Sequence, residues 1–487
     1  MAAGAASALA LACANSQAGC FADDLPDSNN QDSNCDGIDG NAGTAIFVAS
    51  NGSDLAPGTM DQPLRTLTKA LEMAKQSTIK TQILMGFGDY DEPGTITLVD
   101  GVGIFGGYDP ADKWSRTTSQ TTNIHGATLA MTARGLKLST TLGRITVDAD
   151  DGAQPGESSI ALAVVDTTSL TVEDTCILQA GKGAAGAPGT DGTAGTQGGS
   201  GESGGNGNVD DQSSPGLGGQ PGTNADCADA NGGPGGVGGS DPNFAGGKGT
   251  DSPAGVTGGA GGSNPGCSGV SGTDGDTGLN PGADGTDGTG GAAMGTFDDQ
   301  AMAYVAADGQ AGEAGEDGPG GGGGGGSSGQ TGTLCVDGAG NGGGGGGAGG
   351  CGGGSGALGH GGGASIALVA IRSPITVQHI QLITLGGGSG GSGGTGGDGG
   401  LPGTGGPKNS NGSSEIGTSG KGGDGRAGGR GGAGGGGGGG PSIGLFSNGA
   451  TPTVTDVAYS VGPGGVGGGS SGATGAGQAG ASKQTVP

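Results

Sequence analysis

Three stretches of this chain are copies of one unit: SIALAVVDTTSLTVEDTCILQAG at 159–181, SIALVAIRSPITVQHIQLITLGG at 365–387 and SIGLFSNGATPTVTDVAYSVGPG at 442–464. Ser159, Ser365 and Ser442 align, as do Ile160, Ile366 and Ile443, and Leu162, Leu368 and Leu445. A Thr-Val pair follows in each copy, at Thr171-Val172, Thr376-Val377 and Thr453-Val454, and each copy then runs into glycine. A unit of two or three short β-branched strands cannot bury its apolar side alone, but stacked copies share one continuous apolar column. The copies therefore read as successive turns of a parallel β-helix. Ile160, Ile366 and Ile443 are expected to sit above one another in its inner column.

For three distant copies to stack, the sequence between them must leave and return at one corner. Residues 182–364 and 388–441 are thus expected to be glycine-rich insertions extruded from one side. Glycine recurs at every third position from Gly183 to Gly207 and again from Gly387 to Gly399, and partially over 272–291 and 417–437. Pro188 is the sole proline of the first tract, which argues against a collagen triple helix. Two readings stay open: a bundle of polyproline-II-like helices within one chain, or flexible coil, since ordering glycine carries a high entropic cost. The uninterrupted runs at 320–326 and 434–440 favour coil or a tight hinge.

Composition limits the alternatives. Glycine supplies 134 of 487 residues, aromatics 2% and apolar residues 30%, too little for several conventional cores. The 45 acidic against 17 basic residues give a net charge of −28, which excludes the basic footprint of a nucleic-acid binder. Eight cysteines lack any CxxC pattern, and several stand in glycine-rich loops, so disulfides in an oxidising compartment are expected. Cys20–Cys35, Cys227–Cys267 and Cys335–Cys351 are the pairs expected, although connectivity is not readable from sequence. Cys176, inside an apolar run, is expected to be a buried free thiol.

Residues 1–19 read as a leader. AAGAASALALA at 2–12 ends at Cys13, the pattern of a lipoprotein signal with Cys13 lipidated, though no Lys or Arg precedes it; an ordinary signal peptide cut near Ala18 is the other reading. Residues 20–43 are acidic. From 44 to 181 short apolar runs dominate, including one amphipathic helix over 64–76, with Pro63 at its start, expected to cover the N-terminal end. The tail 465–487 is rich in glycine, serine and alanine.

Two strings carry a family resemblance: Val48-x-x-x-Gly52-Ser53-Asp54 with Gly58-Thr59 and Pro63-Leu64-x-Thr66-Leu67-x-x-Ala70-Leu71, and Gly101-Val102-x-Ile104-Phe105-Gly106-Gly107-Tyr108-Asp109 with Trp114 and Arg116. They resemble the N-terminal region and a rung of pectin-lyase-like right-handed parallel β-helix surface proteins, over roughly residues 44–180. The resemblance implies an all-β fold and no particular activity, because that fold hosts lyases, hydrolases, adhesins and inert scaffolds. The glycine tracts resemble those of bacterial PGRS-type surface proteins in composition.

The strongest local motif is Asp27-x-x-x-x-Asp32-x-Asn34-Cys35-Asp36-Gly37-Ile38-Asp39-Gly40. Alternating carboxylates and amides on a turn-rich segment can wrap a hard cation, and the string is similar to thrombospondin-type-3-like calcium repeats. That likeness implies Ca²⁺ held by Asp32, Asn34, Asp36 and Asp39, with Asp27 as an extra ligand. Asp148, Asp150, Asp151, Asp166 and Asp174 are the candidate carboxylates for a polysaccharide lyase or hydrolase. The first three fall in a turn, Arg372 and Gln378 occupy the aligned places of a repeated row, and His125, His360 and His379 are scattered. No catalytic cofactor is implied. The expected function is a non-enzymatic extracellular or cell-surface scaffold or adhesin, meeting cell-surface or matrix components, glycans among them, and touching membrane only through a lipid anchor. The alternatives are a self-associating filament subunit built from stacked β-helices and, less favoured, a polysaccharide enzyme.

Overall fold

The computed structural model describes residues 20–21, 23–263, 266–330, 337–410 and 415–487. Cys13 and the rest of the leader, and Cys335, lie outside the described residues. The chain is mostly strand and irregular backbone, and pairing in the three main sheets is parallel apart from the short strand Ser115–Arg116, which runs antiparallel to Gly103–Asp109. Strands are dealt in rotation to three sheets. In the last turns, Leu170–Glu173 joins the first sheet, Ile177–Ala180 the second and Ser365–Ile371 the third. Then Thr376–Gln378, Gln381–Thr384 and Ser442–Asn448 repeat the cycle. The result is a β-helix-like coil.

The three copies lie in register: Ser159 pairs with Ser365 and Ser365 with Ser442, and the same holds along Ile160, Ile366 and Ile443 and along Leu162, Leu368 and Leu445. The inner column, however, is the leucine one. Leu162, Leu368 and Leu445 share a core with Val147, Val172, Leu178, Val377 and Leu382. Ile160, Ile366 and Ile443 face outward, where a hairpin of Thr296–Asp298 and Ala303–Val305 from the first insertion covers them with Met302 and Tyr304. The strand Ser159–Val165 is buried on both faces, so its sequence has no alternation to mark which face is inner.

Every long insertion leaves from one corner, between the second and third sheets: 181–364 follows Ile177–Ala180, 385–441 follows Gln381–Thr384, and 462–481 follows Ala458–Val461. The last insertion returns as one more strand, Ser482–Val486, beside Ser442–Asn448, where the composition suggested only a tail. The helix runs Leu67–Lys75, with Thr66 as its N-cap accepting from Lys69 N–H. It starts later than its apolar spacing implied because Leu64 is drawn into a bridge with Val48. The carboxylate of Glu92, 3% exposed, receives the Leu67 and Thr68 N–H groups at the helix start.

The glycine tracts are ordered. The N–H groups of Gly186, Gly189, Gly192, Gly195, Gly198 and Gly201 donate in turn to Ser389, Ser392, Thr395, Asp398, Leu401 and Thr404. A three-residue step with all bonds between segments is the signature of polyproline-II-like helices packed side by side. The uninterrupted runs, expected as coil or hinge, are the interior of this bundle. Gly321, Gly322 and Gly323 donate to Gly347, Asp276 and Thr250; the same three carbonyls accept from Gly233, Gly423 and Gly259. That segment therefore has six neighbours and all of 320–330 is buried. With three residues per turn and neighbours on all sides, no position of 320–326 has room for a Cβ; methyl groups at Gly322, Gly323 and Gly324 would each overlap a neighbouring carbonyl oxygen. Peripheral tracts have neighbours on one side only and need glycine at one position in three.

Candidate functional site

The second sheet presents a polar face. Along its outward rows Asp91 pairs in register with His125, His125 with Asp148, and Asp148 with Gln179. Inward Tyr90, Ile124, Val147 and Leu178 fix this orientation by their burial in the core. His125 lies between two carboxylates, Nε2 3.7 Å from Asp89 and Nδ1 3.6 Å from Asp148. Gln179 donates to Asp148 at 2.5 Å and Asn123 to Asp89 at 2.8 Å. Where this face meets the root of the insertions, His125, Asp148, Asp150, Asp151, Gln179 and Leu385 line a groove. Asp151 is occupied there, accepting the Lys182 N–H at 2.6 Å. The arrangement offers hydrogen-bonding carboxylates, an amide and an imidazole, with no aromatic platform. The sequence separated His125 from the acids; aligning the strands GDYD, TNIHG, TVDA and ILQA by their buried residue would have joined them.

Asp166 and Asp174, candidate carboxylates by sequence, serve corners. Both have positive φ, as do Arg144, Arg372, His379 and Asp456 at equivalent bends between sheets. Charges alternate at these bends: Arg372 Nε bonds Asp166 at 2.7 Å, Arg144 bonds Asp174 at 3.0 Å, and His379 lies 3.3 Å from Asp456. His360 pairs with Asp308 in the bundle.

The acidic segment folds onto the outer face of the first sheet. Asp32 accepts from the N–H groups of Asp36 at 3.2 Å and Gly37 at 2.9 Å, and Gly37 takes φ of +103°. Asn34 Oδ1 accepts from Asp36 N–H, and Asp36 Oδ2 from Asn34 Nδ2 and Ala42 N–H. Asp27 caps Asn29 N–H at 2.7 Å. Asp39 is placed differently from the other four: it is buried and its Oδ2 is bonded by Arg116 Nη1 at 3.0 Å, while Arg116 also bonds Asp174. Burial outweighs the neighbouring guanidinium and raises the Asp39 carboxyl to about 6. Asp39 is thus held in a buried ion network that docks residues 24–40, while the more exposed Asp32, Asn34 and Asp36 bond the loop's own backbone.

Cys20 is bonded to Cys35. Cys227 is bonded to Cys351, not to Cys267, and this overturns both expected pairs in the insertion. The bundle brings residues 124 apart in sequence side by side, which sequence proximity cannot register. Cys267 is also disulfide-bonded. Cys176 is a free thiol, fully buried, and its pKa is pushed up to about 12 by that burial.

The family described as "Protein of unknown function (DUF1565)", associated with parallel β-helix proteins, matches residues 50–128. No curated protein and no solved structure matches this chain.

Proposed function

We propose that this chain is a non-enzymatic extracellular or cell-surface scaffold: a right-handed, pectin-lyase-like β-helix, covered at its N-terminal end by the helix Leu67–Lys75, that carries a slab of polyproline-II-like helices as a display surface. The observation that carries this reading is the outward chemistry of the slab. Many of its exposed positions are short polar residues, such as Ser392, Thr395, Asp398 and Thr404 at three-residue spacing along one tract, with Leu401 exposed among them. A broad surface of that kind suits adhesion to glycans or matrix rather than turnover of a small substrate. Disulfides within the insertion favour an oxidising compartment. Calcium at Asp32, Asn34 and Asp36 is part of the proposal, as is a lipid anchor at Cys13.

The test is a binding screen of the full chain against surface polysaccharides and matrix proteins, run beside depolymerisation assays on polygalacturonate and alginate with calcium. Retention on a glycan or matrix component without cleavage is expected. Cleavage that falls when Asp148 or His125 is replaced would overturn the scaffold reading in favour of an enzyme on the second sheet.

A further inference from the structure

We propose that the Cys227–Cys351 pair is a redox-gated metal site: once reduced, its two sulfurs and the carboxylate of Asp317 form a three-ligand set for a thiophilic divalent cation such as Zn²⁺. Among the described residues, Cys227, Cys351 and Asp317 are the group whose candidate ligand atoms all lie within 4.8 Å of one another. Two thiolates and a carboxylate suit a tetrahedral borderline-soft ion, and the exposed Asp317 leaves the fourth position open to water.

The three ligand-bearing segments are held by bonds that do not involve the sulfurs. The loop carrying Cys227 is fixed through Asn224, whose side chain bonds Thr196 O at 3.2 Å and whose N–H bonds Asn231 at 2.7 Å; Ala230 O accepts from Gly349 at 2.7 Å. Cys351 sits in the lattice through its own N–H to Thr196 O at 3.0 Å and its carbonyl to Gly400 N–H at 2.8 Å. Asp317 Oδ1 accepts from Gly352 N–H at 2.8 Å, next to Cys351. Breaking the sulfur bond therefore leaves both thiols facing each other beside the carboxylate, so little ordering is left for the metal to impose.

The chemistry balances with an external dithiol as reductant. It delivers two electrons and two protons, the S–S bond breaks, two S–H bonds form, and the dithiol leaves as its own disulfide. Metal binding then releases both thiol protons to solvent, so affinity rises with pH. The oxidised protein holds no thiolate at this place and is closed to the ion.

Cobalt(II) titration of the full chain, with and without a dithiol reductant, tests this. Reduction should create a thiolate-to-cobalt charge-transfer band of two-sulfur intensity, one cobalt per chain, displaced by zinc. Asp317→Asn, an exposed change that leaves the fold intact, should weaken cobalt binding by about tenfold or more. The band should vanish in Cys227→Ser/Cys351→Ser and persist in Cys20→Ser/Cys35→Ser. No band on reduction, an affinity unmoved by Asp317→Asn, or a band that depends on Cys20 and Cys35 instead would overturn the assignment.

Discussion

Thr167 donates its backbone N–H to the hydroxyl of Ser373 at 3.0 Å, across 206 residues of chain. Both residues are fully buried at the same bend of successive turns, and Thr167 Oγ1 in turn receives the Leu136 N–H at 3.3 Å from the turn before. Ser373→Ala removes the acceptor and strands a buried N–H, which costs about 1–3 kcal/mol. Chemical denaturation should show that loss with an unchanged m-value. A cost near zero would mean that water reaches the bend.

The bundle makes a sharper contrast. Gly323 lies in the six-neighbour interior, where an added methyl would overlap the Pro234 carbonyl, whereas Gly94 has nothing within 4 Å of such a methyl. Gly323→Ala should destabilise by about 1–3 kcal/mol or more, because the lattice must part to admit the Cβ. Gly94→Ala should be neutral or mildly stabilising, within about 1 kcal/mol, through the lower entropy of the unfolded chain. Thermal melting of the pair checks both.

Acid should loosen the slab at its edges. The Asp191 carboxylate accepts the Thr395 N–H at 2.7 Å, and that bond holds its pKa below the ordinary 3.8. A depressed carboxyl pKa contributes stability that is fully present above about 3.8 and is lost as pH falls through the folded-state value. Asp191→Ala should therefore melt below the parent at neutral pH, and the gap should close at low pH. Asp39 runs the other way: its carboxyl titrates at about 6 in the fold, so its contribution weakens as pH rises from 3.8 towards 6.

Calorimetric titration of calcium reports on the acidic loop. One ion per chain is expected, with heat abolished in Asp32→Ala and Asp36→Ala. Asp27→Ala, whose carboxylate caps Asn29 N–H, should retain binding. Equal heat in the Asp32 and Asp36 variants would leave this loop a structural turn.

The coil was legible because its unit recurs: Ser159, Ser365 and Ser442 announce the register without any structure. Which face was inner was not legible, because Ile160 and Leu162 are equally apolar and the covering hairpin comes from more than 130 residues further on, in Met302 and Tyr304. The three-residue glycine period declared a polyproline-II-like option, but entropy arguments weigh each tract alone. Order comes only from the neighbours, and the runs that look most flexible in isolation, 320–326 and 434–440, are those with most neighbours. The site was half legible for a similar reason: Asp148 and Asp151 stood out as carboxylates, while His125 joins them only through strand pairing.

Cohesion of the slab resides chiefly in main-chain bonds that every residue type but proline can make, with outward aspartates such as Asp191 adding bonds at its edges. Mutation at Ser392 or Thr404 can thus redraw what the surface offers without refolding what supports it, and a tract can lengthen or shorten in steps of three residues and keep its bonding phase. Change at those outward positions leaves Leu162, Leu368 and Leu445 untouched in the core beneath.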